Sequence, residues 1–240
     1  MTNSKNILTG GQAAVKSLKK EKVKHVFGLI GSATMEMFDA LYHEKKINFI
    51  GVRDERTGTH MADGYARASN QPGVIIAGQN GPGATNLVTG IAQAKAAFSP
   101  LVSIAGLYST KDKVEDAFQG LDQQSLFSPI TKKTWTVKKV SQIPTAFSDA
   151  FNLAMSPRRG PVCINLPRNV LSDKSKFKIN EKRKSFKTES NLKGNKKLIL
   201  KTTKLILNSK KTVIVAGGGI KYNARFKSVT NLAEFLNIPI

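Results

Sequence analysis

Glu55 is the side chain in this sequence best placed for proton chemistry. It follows a short apolar run at 48–52 (NFIGV) and precedes a small-residue helix read over 62–68. A second apolar run, 73–77 (GVIIA), is too short and too β-branched for a helix. It closes in Gly78-Gln79-Asn80-Gly81-Pro82-Gly83. A carboxylate facing a nitrogen heterocycle can share or donate a proton, because burial disfavours its ionised form. Gly81, Pro82 and Gly83 make a loop that lets backbone approach a flat ring, and Ala84-Thr85-Asn86 opens a helix beside it. The competing reading of Glu55 is a surface carboxylate at a helix start, held by the helix dipole. Spacing alone leaves both open.

The elements around this stretch alternate. Residues 9–22 read as an amphipathic helix with Ala13, Ala14 and Leu18 on its apolar face, and 25–30 as a strand ended by Gly31-Ser32-Ala33. Met35, Met37, Phe38 and Leu41 suit a helix whose methionines fill core. A helix at 84–98, a strand at 101–105, a strand at 134–137, a helix at 143–155 and a strand at 161–166 follow. Strand and helix in alternation predict an α/β fold, a doubly wound parallel sheet with helices on both faces. Ligands of such sheets bind at the carboxyl ends of the strands. The weakly patterned stretch 106–124 reads as a long loop with a short helix, and Pro167-Arg168-Asn169 as the end of the unit. Beyond a charged, apolar-poor segment come a helix at 196–208, a strand at 212–216 turned by Gly217-Gly218-Gly219, and a helix at 225–236.

Composition narrows the class. The chain has 240 residues, 40% of them hydrophobic, enough for a globular core. No run approaches the ~18 apolar residues of a membrane span, and the opening MTNSKNILTGG has no signal-peptide core. A cytoplasmic protein without membrane partners is expected. The net charge of +22 raises a nucleic-acid partner. Two features argue against it. Lysines number 30 and arginines 8, whereas bidentate phosphate and base recognition favours arginine. Half of the excess lies between Asp173 and Lys211, as expected of a solvated linker. The single cysteine, Cys163, sits in an apolar strand and reads as a structural thiol.

The motifs 25–41 (HVFGLIGSATMEMFDAL), 51–68 (GVRDERTGTHMADGYARA), 78–94 (GQNGPGATNLVTGIAQA), 116–124 (DAFQGLDQQ) and 158–171 (RRGPVCINLPRNVL) resemble, in order, those of thiamine-diphosphate enzymes of the acetolactate synthase large-subunit type. The resemblance covers residues 8–240. Sulfoacetaldehyde acetyltransferase and oxalyl-CoA decarboxylase are similar too, and Gly78 to Gly83 with Phe118-Gln119 to Asp122-Gln123 leans toward the former. The resemblance implies a pyrimidine-binding domain at 1–170, a basic linker at 171–193 and the start of a central domain at 194–240. It implies that Glu55 hydrogen-bonds N1′ of the cofactor's aminopyrimidine and helps activate the thiazolium C2. A 2-keto acid then loses carbon dioxide and its remainder joins a second carbonyl compound, with the cofactor as electron sink. Gly81, Pro82 and Gly83 match the loop against the pyrimidine, Asn86 the helix start after it, and Gly31 and Ser32 the loop at the first strand end. Phe118 and Gln119 match residues near the substrate channel, and Lys132 a lysine at its mouth.

The sequence also departs from the family pattern. Asp54 replaces the histidine before the glutamate, and Gly120 the acid after Phe-Gln. His60 lies one turn beyond Glu55 and reads as a helix-surface or core residue; His25 and His43 carry no functional signal. In the family the diphosphate and its Mg2+ are held by a C-terminal domain with a Gly-Asp-Gly turn and a downstream asparagine. Asp63-Gly64, inside a helix, cannot replace that turn, and no metal ligand is assigned in this chain. The expectation is a truncated chain, inactive until a diphosphate-binding domain or chain joins it. Family members assemble as homodimers or tetramers. Acetolactate synthases keep FAD in the central domain, where Gly217-Gly218-Gly219 matches the first turn; sister enzymes keep the triplet without flavin. A non-catalytic module pairing with a related full-length subunit is the competing reading.

Overall fold

The alternation of apolar runs becomes a sheet covered on both faces. A computed structural model describes residues 6–111, 117–177, 194–223 and 226–240. The chain divides into two compact units, Met1–Phe186 and Lys187–Ile240.

In the first unit, six parallel strands lie in the order β3-β2-β4-β5-β7-β6. They are β2 (His25–Gly28), β3 (Asn48–Gly51), β4 (Gly73–Ala77), β5 (Leu101–Leu107), β6 (Thr134–Thr136) and β7 (Val162–Pro167). Every residue of β4, β5 and β7 is buried, the result of near-continuous apolar runs under helices on both sides. Helices α1 (Gly10–Lys20), α2 (Met35–His43) and α6 (Ile143–Met155) supply Leu18, Met37, Phe147 and Phe151 to one core. Helices α3 (Glu55–Ser69), α4 (Pro82–Ala96) and α5 (Gln123–Phe127) supply Ala62, Leu87, Ile91 and Phe127 to the other.

Local chemistry sets the helix starts. Thr9 and Gln12 cap α1 reciprocally, at 3.2 Å and 3.1 Å. The helix expected at 62–68 begins seven residues earlier. Oδ1 of Asp54 accepts the N–H groups of Arg56 (2.7 Å) and Thr57 (3.4 Å), so Asp54 is the N-cap of α3. Helix α4 likewise starts at Pro82 rather than at 84, with proline in the first turn where no donor is lost.

The expected end of the unit at 167–169 is corrected. The chain continues as α7 (Arg168–Ser172) and β8 (Lys174–Phe177), which pairs antiparallel with β1 (Asn6–Thr9). Phe177 is buried, so this piece of the expected 171–193 linker belongs to the folded unit. Residues 178–193 of that linker lie outside the described residues.

In the second unit, α8 (Lys196–Leu207) and α9 (Phe226–Leu236) are helical; Arg225, expected to open the latter, lies outside the described residues. The strand expected at 212–216 is not one. Ile214 donates its N–H to the Pro239 carbonyl at 2.9 Å, but no ladder forms among the described residues, and Val213 and Val215 are exposed. β-branched residues favour an extended backbone; a strand also requires a neighbour to pair with.

Candidate functional site

The order of the parallel strands reverses between β2 and β4. The helix after β2 lies on one face, and those after β3 and β4 lie on the other. Such a reversal splays the connecting loops and opens a crevice at the carboxyl ends. Gly31 and Ser32 follow β2, Glu55 follows β3, and Gly78 to Gly83 follow β4, so all three loops meet there.

Glu55 is 3% exposed although it opens a helix, so the surface reading of this carboxylate does not hold. Its Oε2 accepts from Nδ2 of Asn86 at 3.0 Å, and its Oε1 accepts from the Gly78 N–H at 3.4 Å. Asn86 lies on α4 and Gly78 at the end of β4, so the carboxylate spans from α3 to the neighbouring strand–helix turn. Gly83 makes this approach feasible, because a Cβ there would stand 2.9 Å from Oε1. His60 is exposed and Asp54 is occupied in capping.

A second set of bonds ties the loops together. Oε1 of Gln79 accepts from the Ser32 hydroxyl (2.9 Å) and the Ala33 N–H (3.2 Å), and its Nε2 donates to Oε1 of Gln119 (2.7 Å). Asn80, buried, donates from Nδ2 to the carbonyls of Phe118 (3.1 Å) and Gln119 (2.8 Å). Gln119 has φ +57° and Gly81 φ +58°. A side chain on Gly81 would meet the Gln119 carbonyl at 2.5 Å, so glycine is required by both conformation and space. Sequence order presents Gln79 and Asn80 only as part of a turn. The available signal is two amide side chains flanking glycine at a strand end.

Phe118 projects into solvent, 82% exposed, and Gln119 borders a cleft of about 630 Å³ that Tyr108, Leu121, Gln123 and Asn165 also line. Lys132 is not part of this cluster. Its N–H pairs with the Pro161 carbonyl just before β7, which puts it at the amino ends of the strands. Its Nζ donates to the carbonyls of Leu153 (2.7 Å) and Ser156 (3.3 Å) and to Oγ of Ser156 (2.6 Å), fastening the end of α6. Burial pushes the Lys132 ammonium below its ordinary pKa. Cys163, fully buried on β7, is pushed up to about 12 by the same cause, which suits a packing thiol.

Residues 8–126 match the thiamine pyrophosphate enzyme, N-terminal TPP binding domain. The chain belongs to the thiamine pyrophosphate enzymes through this domain. It is 42% identical over 236 residues to a probable acetolactate synthase large subunit of Methanococcus aeolicus, covering 97% of this chain and 39% of that protein. It is 41% identical to the corresponding protein of Methanocaldococcus jannaschii, covering 40% of it. To the acetolactate synthase isozyme 3 large subunit of Escherichia coli (strain K12) it is 35% identical, covering 98% of this chain and 41% of that subunit. The chain thus spans about two fifths of the length of these relatives. The matched domain contains Glu55, the Gly31-Ser32 turn, the Gly78 to Gly83 turn, Asn86 and Phe118-Gln119. Among the described residues no helix is long and apolar enough to cross a membrane, and no group of three metal-ligating side chains occurs.

Proposed function

We propose that the first unit supplies the aminopyrimidine half of a thiamine-diphosphate site in an enzyme of the acetolactate synthase large-subunit type. In this reading the enzyme decarboxylates a 2-keto acid and joins the remainder to a second carbonyl compound. The observation that carries it is the Glu55 carboxylate, nearly enclosed at the sheet's reversal point beside the side-chain-free backbone of Gly83. Each of its oxygens accepts a single hydrogen bond and keeps a lone pair for a ring nitrogen. These residues fit the pyrimidine end of the cofactor. Thiamine diphosphate, when bound, supplies the electron sink for loss of carbon dioxide. Glu55 would hold the proton at N1′, Asn86 and the Gly78 N–H would fix its carboxylate, and Gly81, Pro82 and Gly83 would face the ring. The Gly31-Ser32 turn bounds the same crevice.

In this proposal Mg2+ and the diphosphate are held by a diphosphate-binding domain or chain, and a homodimer or tetramer would bring the halves together. Residues 1–240 are then expected to be inactive alone. FAD is read separately, from flavin absorbance of the assembled protein, because no strand leads into Gly217-Gly218-Gly219 to build a nucleotide-binding turn. Cytoplasmic residence and a role in branched-chain amino acid biosynthesis belong to the same reading.

The test is to combine this chain with a diphosphate-binding segment of a relative and measure carbon dioxide release from pyruvate with thiamine diphosphate and Mg2+. Release that Glu55→Gln abolishes supports the proposal. Stable association without any turnover would instead favour the non-catalytic module. Replacing pyruvate with sulfoacetaldehyde or oxalyl-CoA separates the related activities.

A further inference from the structure

We infer that Asn80 and Gln79 are positioning residues that clamp the Phe118-Gln119 segment over the carboxyl edge of the sheet, and so set substrate capture rather than cofactor binding. The word substrate rests on the function proposed above; the clamp itself does not.

Asn80 is 6% exposed, and its amide nitrogen meets two successive backbone carbonyls, those of Phe118 and Gln119. Both partners are obligate acceptors, so the orientation of this amide is fixed: nitrogen inward. The result of that convergence is conformational. Gln119 is held at φ +57°, where a residue with a side chain rarely stays unless its surroundings impose it. The consequence is that Phe118 points outward at the edge while its own carbonyl is pinned. Gln79 completes the clamp from the other side. Its oxygen is fixed by the Ala33 N–H and the Ser32 hydroxyl, and its nitrogen reaches the Gln119 side chain. One amide therefore spans the loop after β2 and the 117–121 segment. Glu55 uses neither residue; its partners are Gly78 and Asn86.

The two positions differ in what a carboxylate would do. At Asn80, a carboxylate would face two carbonyl oxygens that cannot turn away. At Gln79, it would still accept from Ala33 and Ser32, and the Gln119 amide can rotate to donate its NH2 group. Asn80→Asp and Gln79→Glu add the same charge and should diverge.

The experiment follows backbone hydrogen exchange in the purified chain, reading amides 118–123 against those of β4 and β5. Asn80→Asp should speed exchange at 118–123 by about tenfold or more, Asn80→Ala by less, and Gln79→Glu by no more than about threefold, with the strands unchanged. Equal acceleration by both carboxylates, or none by Asn80→Asp, overturns the clamp. If Asn80→Asp exposes the strands as well, Asn80→Ala decides by the same comparison. In the assembled enzyme, Asn80→Ala should raise KM for the 2-keto acid several-fold more than it raises the Kd of thiamine diphosphate. The reverse order removes the role in substrate capture and leaves a structural link. No turnover in the unmutated assembly refutes the proposed function, while the exchange result still judges the clamp.

Discussion

A Cβ placed on Gly83 would stand 2.9 Å from Oε1 of Glu55, closer than real contacts of this kind. The two residues belong to adjacent helix starts, and the missing side chain of one is the space occupied by the other. This separates stability from function at a single position. Gly83→Ala replaces a glycine within α4, which favours the helix by up to about 1 kcal/mol, and the group it meets is the end of a flexible side chain. The melting temperature should stay level or rise slightly. Carbon dioxide release by the assembled enzyme should fall by about a hundredfold, as a carboxylate is displaced by a fraction of an ångström. Unchanged turnover would show that the Glu55 position is not critical.

Glu55→Gln keeps the size of the side chain and an oxygen for the Asn86 amide. The folded chain should melt within about 1 kcal/mol of the parent, since the Gly78 bond is long and its loss is small. In the assembled enzyme it should lower turnover by about 10²–10⁴-fold, the usual contribution of a positioned proton-transfer group. Circular dichroism melting and a single-turnover decarboxylation assay read the two effects separately.

Local rules suffice for the sequence reading where they act alone. The helix expected at 143–155 and the strand at 73–77 appear with those bounds, because period and β-branching decide them. The start of α3 is hidden because Thr57, Gly58 and Thr59 have poor helix propensity, while the cap at Asp54 and the packing of Gly58 against Val52 and Ile75 outweigh it. What sequence order also hides is pairing across distance. The β1–β8 ladder joins residues near opposite ends of the first unit, so the lysine-bearing residues of β8 read as linker. The same holds in the site. Glu55 and the glycine loop are legible from types and spacing, but the bond from Gln79 to Gln119 depends on two loops meeting over the sheet. Resemblance puts Lys132 at a channel mouth, whereas its fold position is the opposite edge.

Lys132 should therefore act on stability. Lys132→Met removes three hydrogen bonds to Leu153 and Ser156; the Leu153 carbonyl keeps the Ser156 hydroxyl and N–H, while the Ser156 carbonyl loses its lysine partner, and the change should cost about 1–3 kcal/mol, measured by denaturant melting. The alkaline behaviour carries the second signature. The folded ammonium titrates below its ordinary value of 10.5, so the unfolded chain binds more protons in the window beneath that value. Stability contributed at this position should rise with pH through the window, and Lys132→Met should abolish the rise. Cys163→Ala serves as the background, because the thiol titrates in the same range with the opposite sign.

Cys163 reports on global unfolding. Its pKa, raised from 9.0 to about 12 by full burial, leaves almost no thiolate at pH 8, and the side chain has no access to reagent. Iodoacetamide should leave the native chain unmodified at pH 8 and alkylate it at the rate at which the first unit opens, so that the labelling midpoint in urea coincides with the circular dichroism midpoint. The sign of the pH effect follows from the same shift. The native thiol keeps its proton where the unfolded one has lost it, so the thiol's contribution is complete below about pH 9 and declines as pH rises toward 12. Cys163→Ala should flatten that decline. Rapid labelling under native conditions would show that β7 opens locally and is not the centre of the sheet's stable core.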